Sequence, residues 1–230
     1  MRPWWLVVLT GCDGVFGLTH IPDRTDAQTG DSEVVIDGRE HCEQDMFPDL
    51  TTVLTRWDRA TTGVGFDVNV EAGELVVRVP ANMPGLAYVR HLANIDMTEA
   101  TLTVEVPRAI GLIDSETFFS VMIDDTNFYF FDVVNGQLTM RVRSLNVDKH
   151  LAMMSYDSAA HRFWRFEHDK VLGQMRFFTS SDGTSFTMRH SMPTDVAVGP
   201  MTIELGAATI NTGLAVGSEA HFDNLEYCPP

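Results

Sequence analysis

The stretch "NFYFFDVVNGQLTMRVR", residues 127–143, has two alternating runs of large apolar residues on either side of Asn135-Gly136. Asn-Gly between two such runs is the strongest short hairpin signal, because a type I′ turn needs positive φ at both central residues. The turn predicts the register of the two strands. Val134 lies opposite Gln137, Val133 opposite Leu138, and the pairing continues outward from the turn in the same way.

This register divides the hairpin side chains between two faces, because directly opposed residues of an antiparallel pair share a face. One face is apolar and is predicted to be core: Tyr129, Phe131, Val133, Leu138, Met140 and Val142. The other face is polar but carries two large rings: Phe128, Phe130, Asp132, Thr139, Arg141 and Arg143. An outward face of this composition is a candidate binding surface.

Similar strand-like runs follow one another along most of the chain, separated by turn residues. They lie at 65–79, 99–106, 117–123, 127–134, 137–143, 161–168, 173–179, 184–191, 201–209 and 220–227. Their spacing of roughly 8–12 residues is typical of a sandwich or barrel. The sequence predicts an all-β domain over residues 41–230, an antiparallel jelly-roll β-sandwich, with a short helix over Leu50 to Arg56.

A second hairpin, "HRFWRFEH" followed by "GQMRFFT", repeats the pattern of the first. Alternation turns Phe163, Arg165, Arg176 and Phe178 away from the core. Half of the sixteen basic residues lie between 141 and 190, although the chain has a net charge of −16.

If both hairpins belong to one sheet, the two outward faces make a single ligand-binding surface. Its residues are Phe128, Phe130, Arg141, Arg143, Phe163, Arg165, Arg176 and Phe178. Rings that stack on sugars, together with arginines that clamp carboxylates, suit a carbohydrate and in particular an acidic glycan. In the alternative interpretation, segment 80–98 covers this surface, or the surface is buried against a partner protein.

The stretch "HRFWRFEHDKVLGQMRFFTSSDGTSF" resembles the W-x-R … S-x-DG-x-x-W region of bacterial concanavalin A-like lectin/glucanase (laminin-G-like) domains, with Phe186 in place of the last aromatic residue. "AHFDNLEY" is similar to their closing strand. The resemblance implies a jelly-roll fold and a carbohydrate-related role. We expect Ser180-Ser181-Asp182-Gly183 to form a tight turn.

Catalytic motifs are not found. A retaining jelly-roll glucanase carries acids as Glu-x-Asp-x-(x)-Glu on one strand face, and no such string occurs. We therefore predict a non-catalytic protein without a cofactor, with glycoside hydrolysis as the less favoured alternative. Calcium is common in such sandwiches, and oxygen ligands could come from Asp124, Asp125, Asn127 and Asp132, but their spacing matches no loop motif.

The N-terminus resembles a bacterial lipoprotein signal. Arg2 is followed by a short apolar run and by Leu9-Thr10-Gly11-Cys12, which looks like a lipobox. The resemblance implies that residues 1–11 are a signal peptide and that Cys12 is acylated, palmitate being a typical acyl chain. Residues 12–40 are then a flexible acidic tether with no defined structure. The alternatives are that Cys12 is a chance cysteine of a disordered terminus, or that the true start lies upstream.

Cys42 and Cys228 are the remaining cysteines. Export to an oxidising compartment would leave them to pair, and we predict a disulfide that brings the first and last elements together. A zinc site is the rival interpretation, but no matched ligand pair accompanies them.

The composition excludes one class of partner, since a net charge of −16 disfavours binding to nucleic acid. Together these features predict a lipid-anchored, lectin-like binding module of the bacterial cell envelope, on its periplasmic or cell-surface side. Its expected partners are the membrane, through the anchor, and a glycan or an envelope protein. The alternative function is that of a structural or protein–protein interaction domain.

Overall fold

The computed structural model describes residues 42–210 and 216–230. This part of the chain contains sixteen β-strands and one short helix. In chain order the elements are β1 (Glu43–Asp45), α1 (Leu50–Arg56), β2 (Trp57–Thr62), β3 (Asp67–Glu71), β4 (Glu74–Val79), β5 (Gly85–His91), β6 (Ile95–Asp96), β7 (Thr101–Arg108), β8 (Ser115–Asp124), β9 (Asn127–Val134), β10 (Gln137–Ser144), β11 (Val147–Ser155), β12 (Phe163–Asp169), β13 (Gln174–Ser180), β14 (Thr187–Pro193), β15 (Pro200–Thr209) and β16 (Ser218–Cys228).

The strands form two antiparallel sheets that pack face to face. Sheet 1 has the order β14-β13-β12-β7-β16-β4-β3, and β1 also pairs with β16. Sheet 2 has the order β11-β10-β9-β8-β15-β5-β2, and β6 also pairs with β15. The prediction of an all-β jelly-roll sandwich is confirmed.

The hairpin of residues 127–143 has the predicted register, with Val134 opposite Gln137 and Phe131 opposite Met140. Its turn residues have the positive φ values that a type I′ turn needs, 51° at Asn135 and 72° at Gly136. The predicted core face is fully buried, as expected: Tyr129, Phe131, Val133, Leu138, Met140 and Val142.

Aromatic rings from both sheets meet in the core between them. Phe131 of sheet 2 stacks on Trp164 of sheet 1 with ring centroids 5.7 Å apart. It also meets Phe166 at 5.1 Å and Phe177 at 5.4 Å. Since these three rings come from the second hairpin, β12–β13, the two hairpins pack against each other across the sandwich.

This arrangement corrects one expectation. The second hairpin lies in sheet 1 and the first in sheet 2, so their outward faces are on opposite sides of the molecule. Hydrophobic alternation tells which residues of a hairpin share a face, but it does not tell to which sheet the hairpin belongs.

The disulfide between Cys42 and Cys228 is present, as predicted, with the two Cα atoms 4.1 Å apart. It joins β1 to the end of β16, where Glu43 lies opposite Tyr227. The zinc interpretation of these cysteines is therefore wrong.

Helix α1 begins and ends where the sequence predicts. Asp49 caps it by accepting a hydrogen bond from the backbone N–H of Thr52 at 2.9 Å, which satisfies one of the free N–H groups of the first turn. The buried Asp45 carboxylate holds the end of the helix. It accepts hydrogen bonds from Arg56 Nη2 at 2.8 Å and from Trp57 Nε1 at 2.7 Å.

Several strands were not predicted, notably β2, β5 and β11. β5 reads as a continuous apolar run because it is buried on both faces, with Leu86 and Tyr88 only 7% and 6% exposed on the outer side. Segment 80–98 contains β5 and β6, so it forms part of sheet 2 and does not cover a face of the sandwich.

The predicted signal peptide and tether, residues 1–11 and 12–40, lie outside the described residues. Within the described residues, no helix has both the length and the apolar character that crossing a membrane requires.

Candidate functional site

The candidate site is the outer face of sheet 2, the side turned away from sheet 1. Strand pairing places its residues in two rows that cross the strands. The Arg141 row contains Arg141, Phe130, Ser120, Glu204, Arg90 and Asp58. The Asp132 row contains Thr139, Asp132, Phe118, Gly206, Tyr88 and Ala60. Charged groups thus extend along the Arg141 row as far as β5 and β2, whereas beyond Asp132 the Asp132 row carries small or apolar groups and Tyr88.

Arg141 forms a buried ion cluster with two acids. Its Nη2 donates to Glu116 Oε1 at 2.5 Å and also contacts Asp132 Oδ2. The guanidinium lies over the Phe130 ring, 3.9 Å from its centroid. Asp132 is completely buried and Glu116 is only 5% exposed. Both acids therefore depend on Arg141, because unpaired buried carboxylates are costly.

Three polar atoms in this cluster are buried without a hydrogen-bond partner in the described part of the chain: Asp132 Oδ1, Thr139 Oγ1 and Arg141 Nε. Asp132 and Thr139 are directly opposed on β9 and β10, and Arg141 is the next outward residue of β10. The set combines an acceptor, a donor and a hydroxyl. Water or an alcohol, which both donates and accepts, is the chemical group that complements it.

Two further arginines of this face are also paired. Arg143 binds Asp148 through two hydrogen bonds of 2.6 and 2.9 Å and lies over the Phe128 ring. Arg90 binds Glu204 at 2.6 Å and Asp125 at 3.3 Å.

An apolar platform adjoins the Arg141 cluster. It consists of Leu86, Tyr88 and Ala208, against which Ala60 and Phe118 pack. Gly206 makes it possible: a Cβ at this position would come within 2.7 Å of Tyr88 Cβ and would also collide with the Phe118 ring. Burial, followed by the charge of Glu204, raises the pKa of the Tyr88 phenol to about 12, so it stays protonated.

The structure separates the eight ligand-binding residues that the sequence predicts. Phe128, Phe130, Arg141 and Arg143 lie on the outer face of sheet 2. The other four lie on the outer face of sheet 1, on the opposite side of the molecule: Phe163, Arg165, Arg176 and Phe178. A single eight-residue surface therefore does not exist.

On the outer face of sheet 1, the predicted residues contact their neighbours. The Arg165 guanidinium lies 3.5 Å from the centroid of the Phe186 ring, and its Nε donates to Thr103 Oγ1 at 2.8 Å. Arg176 pairs with Glu167 at 2.9 Å and also contacts Asp169.

The Ser180–Gly183 segment forms the expected tight turn. The Asp182 carboxylate accepts from the backbone N–H groups of Ser185 and Thr184 at 2.7 and 2.8 Å. These bonds hold the pKa of Asp182 far below its ordinary value. The Phe163 ring packs against Gly183, where a Cβ would lie 3.1 Å from it.

The four residues weighed as calcium ligands do not converge. Asp124 accepts from Thr126 and Asn127 within the β8–β9 turn. Asp125 binds Arg90, and Asp132 lies far along β9 beside Arg141. The turn thus satisfies its acids internally. Among the described residues, the one group with close metal-type ligand atoms is Cys42, Glu226 and Cys228, and its two cysteines are bonded to each other.

Glu116, Phe118 and Tyr88 were missed as site residues. Extending the hairpin register through the turn at 124–127 would have placed Glu116 and Phe118 on the Asp132 side, because β8 pairs directly with β9. No comparable signal existed for Tyr88, since its strand was not recognised.

The sequence matches no family model, and no curated protein matches it either. Solved structures share its fold. A prokaryotic β-1,3-1,4-glucanase (lichenase) from a mouse hindgut metagenome matches with a TM-score of 0.63 and 12% identity, covering 83% of this chain and all of that one. A Bacillus licheniformis β-glucanase matches with a TM-score of 0.59 and 14% identity, covering 88% of this chain and all of that one.

A legume lectin-like domain from Entamoeba histolytica is also similar, with a TM-score of 0.60 and 8% identity, covering 86% of this chain and all of that one. The prediction of a non-catalytic protein is wrong, because several structures of the same fold are glucanases or glycoside hydrolases. At these identities the similarity shows the fold alone, a jelly-roll sandwich that the chain shares with these glucanases and with the lectin-like domain.

Proposed function

We propose that the outer face of sheet 2 binds a carbohydrate chain. The observation that carries the proposal is the half-buried Phe118 ring of the apolar platform, which lies directly beside the Glu116–Asp132–Arg141 cluster. A sugar ring offers an apolar face that packs on aromatic rings and hydroxyl groups that bond to charged side chains. A ligand site of this kind combines an apolar surface with a few convergent polar groups.

Two features support this choice of ligand. A group that both donates and accepts complements the three unpartnered atoms at Asp132, Thr139 and Arg141, and sugars are rich in such groups. The fold is shared with two glucanases and a lectin-like domain, so a glycan is the first ligand class to test.

Isothermal titration with neutral oligosaccharides, including fragments of β-1,3-1,4-glucan, tests the proposal. Phe118→Ala is expected to weaken binding by about tenfold or more, because aromatic residues in desolvated contact regions carry most of the binding energy. Phe178→Ala, on the outer face of sheet 1, is the matched control and should leave binding unchanged. The proposal fails if no glycan binds, or if both variants lose binding equally.

Glycoside hydrolysis is the second candidate function, and one observation favours it. Glu116 and Asp132 contact the same nitrogen of Arg141, so their carboxylates are close neighbours on one face. Retaining glycosidases hold two carboxyl groups about 5–5.5 Å apart. The outward positions of β9 before Asp132 are occupied by Phe128 and Phe130. The strand therefore carries one acid, whereas a Glu-x-Asp-x-(x)-Glu string carries three.

Release of reducing ends from a bound oligosaccharide measures this activity. Glu116→Gln and Asp132→Asn should each abolish it, whereas Glu204→Gln, on the same face but outside the pair, should retain it. Absence of product from the unmodified protein would limit the function to binding.

The anchor at Cys12 is a separate part of the proposal, carried by the lipobox-like Leu9-Thr10-Gly11-Cys12. An acylated cysteine would hold the domain at a membrane of the cell envelope. Cys12→Ser should accumulate as an unprocessed precursor in a bacterial host, which mass spectrometry of the membrane fraction detects. A mature protein that is cut elsewhere and carries no lipid would contradict this part alone.

A further inference from the structure

The outer face of sheet 2 carries more acids than bases. In the described part of the chain it contains three guanidinium groups, those of Arg90, Arg141 and Arg143. Six carboxylates lie on it or at its edge: Asp58, Glu116, Asp125, Asp132, Asp148 and Glu204. A face rich in arginine by sequence is therefore negatively charged in the folded protein.

Each arginine of the face is already bound to an acid. Arg141 is held by Glu116 and Asp132 and is largely buried, with 15% of its side chain exposed. Arg143 is 6% exposed and binds Asp148 with Nε and Nη2, the fork geometry that a ligand carboxylate would otherwise use. Arg90 is shared between Glu204 and Asp125. A ligand carboxylate would have to break such a pair to reach a guanidinium.

We infer that Glu116, Asp132 and Asp148 are specificity-determining residues, which mask the arginines and restrict the face to uncharged glycans. The inference rests on the proposed function, since it concerns the ligand of the same site. Separating a buried pair leaves a charge without a partner, which is strongly unfavourable. An acidic glycan would in addition meet like charges across the contact, and this penalises a wrong partner.

Two oligosaccharides of equal length separate the possibilities: a neutral fragment of β-1,3-1,4-glucan and an oligogalacturonate. Each is titrated into the full chain at low ionic strength, where charge effects are largest. The unmodified protein should bind the uronate at least about tenfold more weakly than the neutral sugar. In high salt this difference should shrink.

Two variants test the masking residues, and a third is their control. Asp148→Asn removes the carboxylate charge that binds Arg143 through two hydrogen bonds, and Glu116→Gln removes one of the two acids on Arg141, so uronate affinity should rise severalfold in each. Glu167→Gln is the matched control, because it weakens a similar pair with Arg176 on the outer face of sheet 1. It should change neither affinity. The Asp148 side chain is more exposed than that of Glu116. Asp148→Asn therefore still tests the inference if Glu116→Gln fails to fold.

The outcomes distinguish the inference from the proposed function. Equal binding of both sugars by the unmodified protein overturns the inference and leaves glycan binding intact. A neutral-sugar preference that Asp148→Asn and Glu116→Gln do not alter overturns the masking role. Binding of neither sugar overturns the proposed function, and the inference with it.

Discussion

Glu116 and Asp132 lie on neighbouring strands and accept hydrogen bonds from the same nitrogen, Nη2 of Arg141. They are not directly opposed, because Glu116 pairs with Val134 and Asp132 with Phe118. Their meeting depends on the long side chain of Arg141, which crosses from β10 over Phe130. We expect the stability of the outer face of sheet 2, and its proposed ligand preference, to depend on this three-residue cluster.

Removing the shared cation should be costly. Arg141→Met leaves Glu116 and Asp132 facing each other in a buried setting, and we expect a loss of about 3–5 kcal/mol in the free energy of unfolding. Urea denaturation measures it. Arg176→Met on sheet 1 is the control, since its side chain is 24% exposed and its acids are partly solvated. A loss below about 1 kcal/mol for Arg141→Met, the upper range for exposed pairs, would show that the cluster is weakly coupled.

Gly206→Ala should disturb the apolar platform without unfolding the protein. The added methyl group would approach Tyr88 Cβ and the Ala87 carbonyl oxygen at 2.7 Å, so the Phe118 and Tyr88 side chains must move. We expect a destabilisation of about 1–3 kcal/mol, typical of overpacking, and a reduced affinity for neutral oligosaccharides. Gly199→Ala is the control, because its Cβ would meet no atom within 4 Å and its φ lies outside the left-handed region. Unchanged glycan affinity in Gly206→Ala would show that the platform takes no part in binding.

The disulfide should contribute substantially to stability. Cys42 and Cys228 are 186 residues apart, and the chain-entropy model gives about 5 kcal/mol for so long a loop. Replacing both by serine should therefore lower the free energy of unfolding by about 2–5 kcal/mol. Denaturation with and without reductant provides the same comparison in the unmodified protein. If neither treatment changes the transition, β1 is held by its pairing with β16 and by Asp45 alone.

Acidification should destabilise the fold through His91, a half-buried histidine. Partial burial is the largest effect on His91 and lowers its pKa below the ordinary histidine value of about 6.5. The unfolded chain then binds the proton more readily, so the stability that neutral His91 contributes is present above about pH 6.5 and is lost below it. His91 contacts Trp57 edge to face at 4.9 Å, and His91→Phe keeps a ring there. Between pH 8 and pH 5, the free energy of unfolding should fall less steeply in His91→Phe than in the unmodified protein. An equal slope in both proteins would exclude His91 as the cause.

Local pattern was sufficient for the elements whose signals lie within a few residues. Asn135-Gly136 determines the register of β9 and β10, since only one hairpin geometry satisfies positive φ at both positions and buries Phe131 opposite Met140. Parity of the cysteines predicted the Cys42–Cys228 disulfide, and the short helix over Leu50 to Arg56 was also predicted.

Strand assignment failed for β5 because burial hides the alternation. β5 is covered on both faces, so Leu86, Tyr88 and their neighbours read as an unpatterned apolar segment. The platform half of the candidate site was invisible for this reason. The polar half was visible in part, because Asp132, Thr139 and Arg141 share the outward face of one hairpin.

Sequence alone determined the all-β class, the β9–β10 hairpin with its inward and outward faces, and the pairing of Cys42 with Cys228, because each follows from local periodicity or from residue count. Tertiary structure alone decided that the β12–β13 hairpin belongs to the opposite sheet and that every arginine on the outer face of sheet 2 has an acidic partner. The physical reason is the same in both cases. Period-2 alternation specifies a side of a strand, whereas the neighbours of a side chain depend on which strands pair, and strands as distant in sequence as β5 and β15 pair only when the whole chain folds.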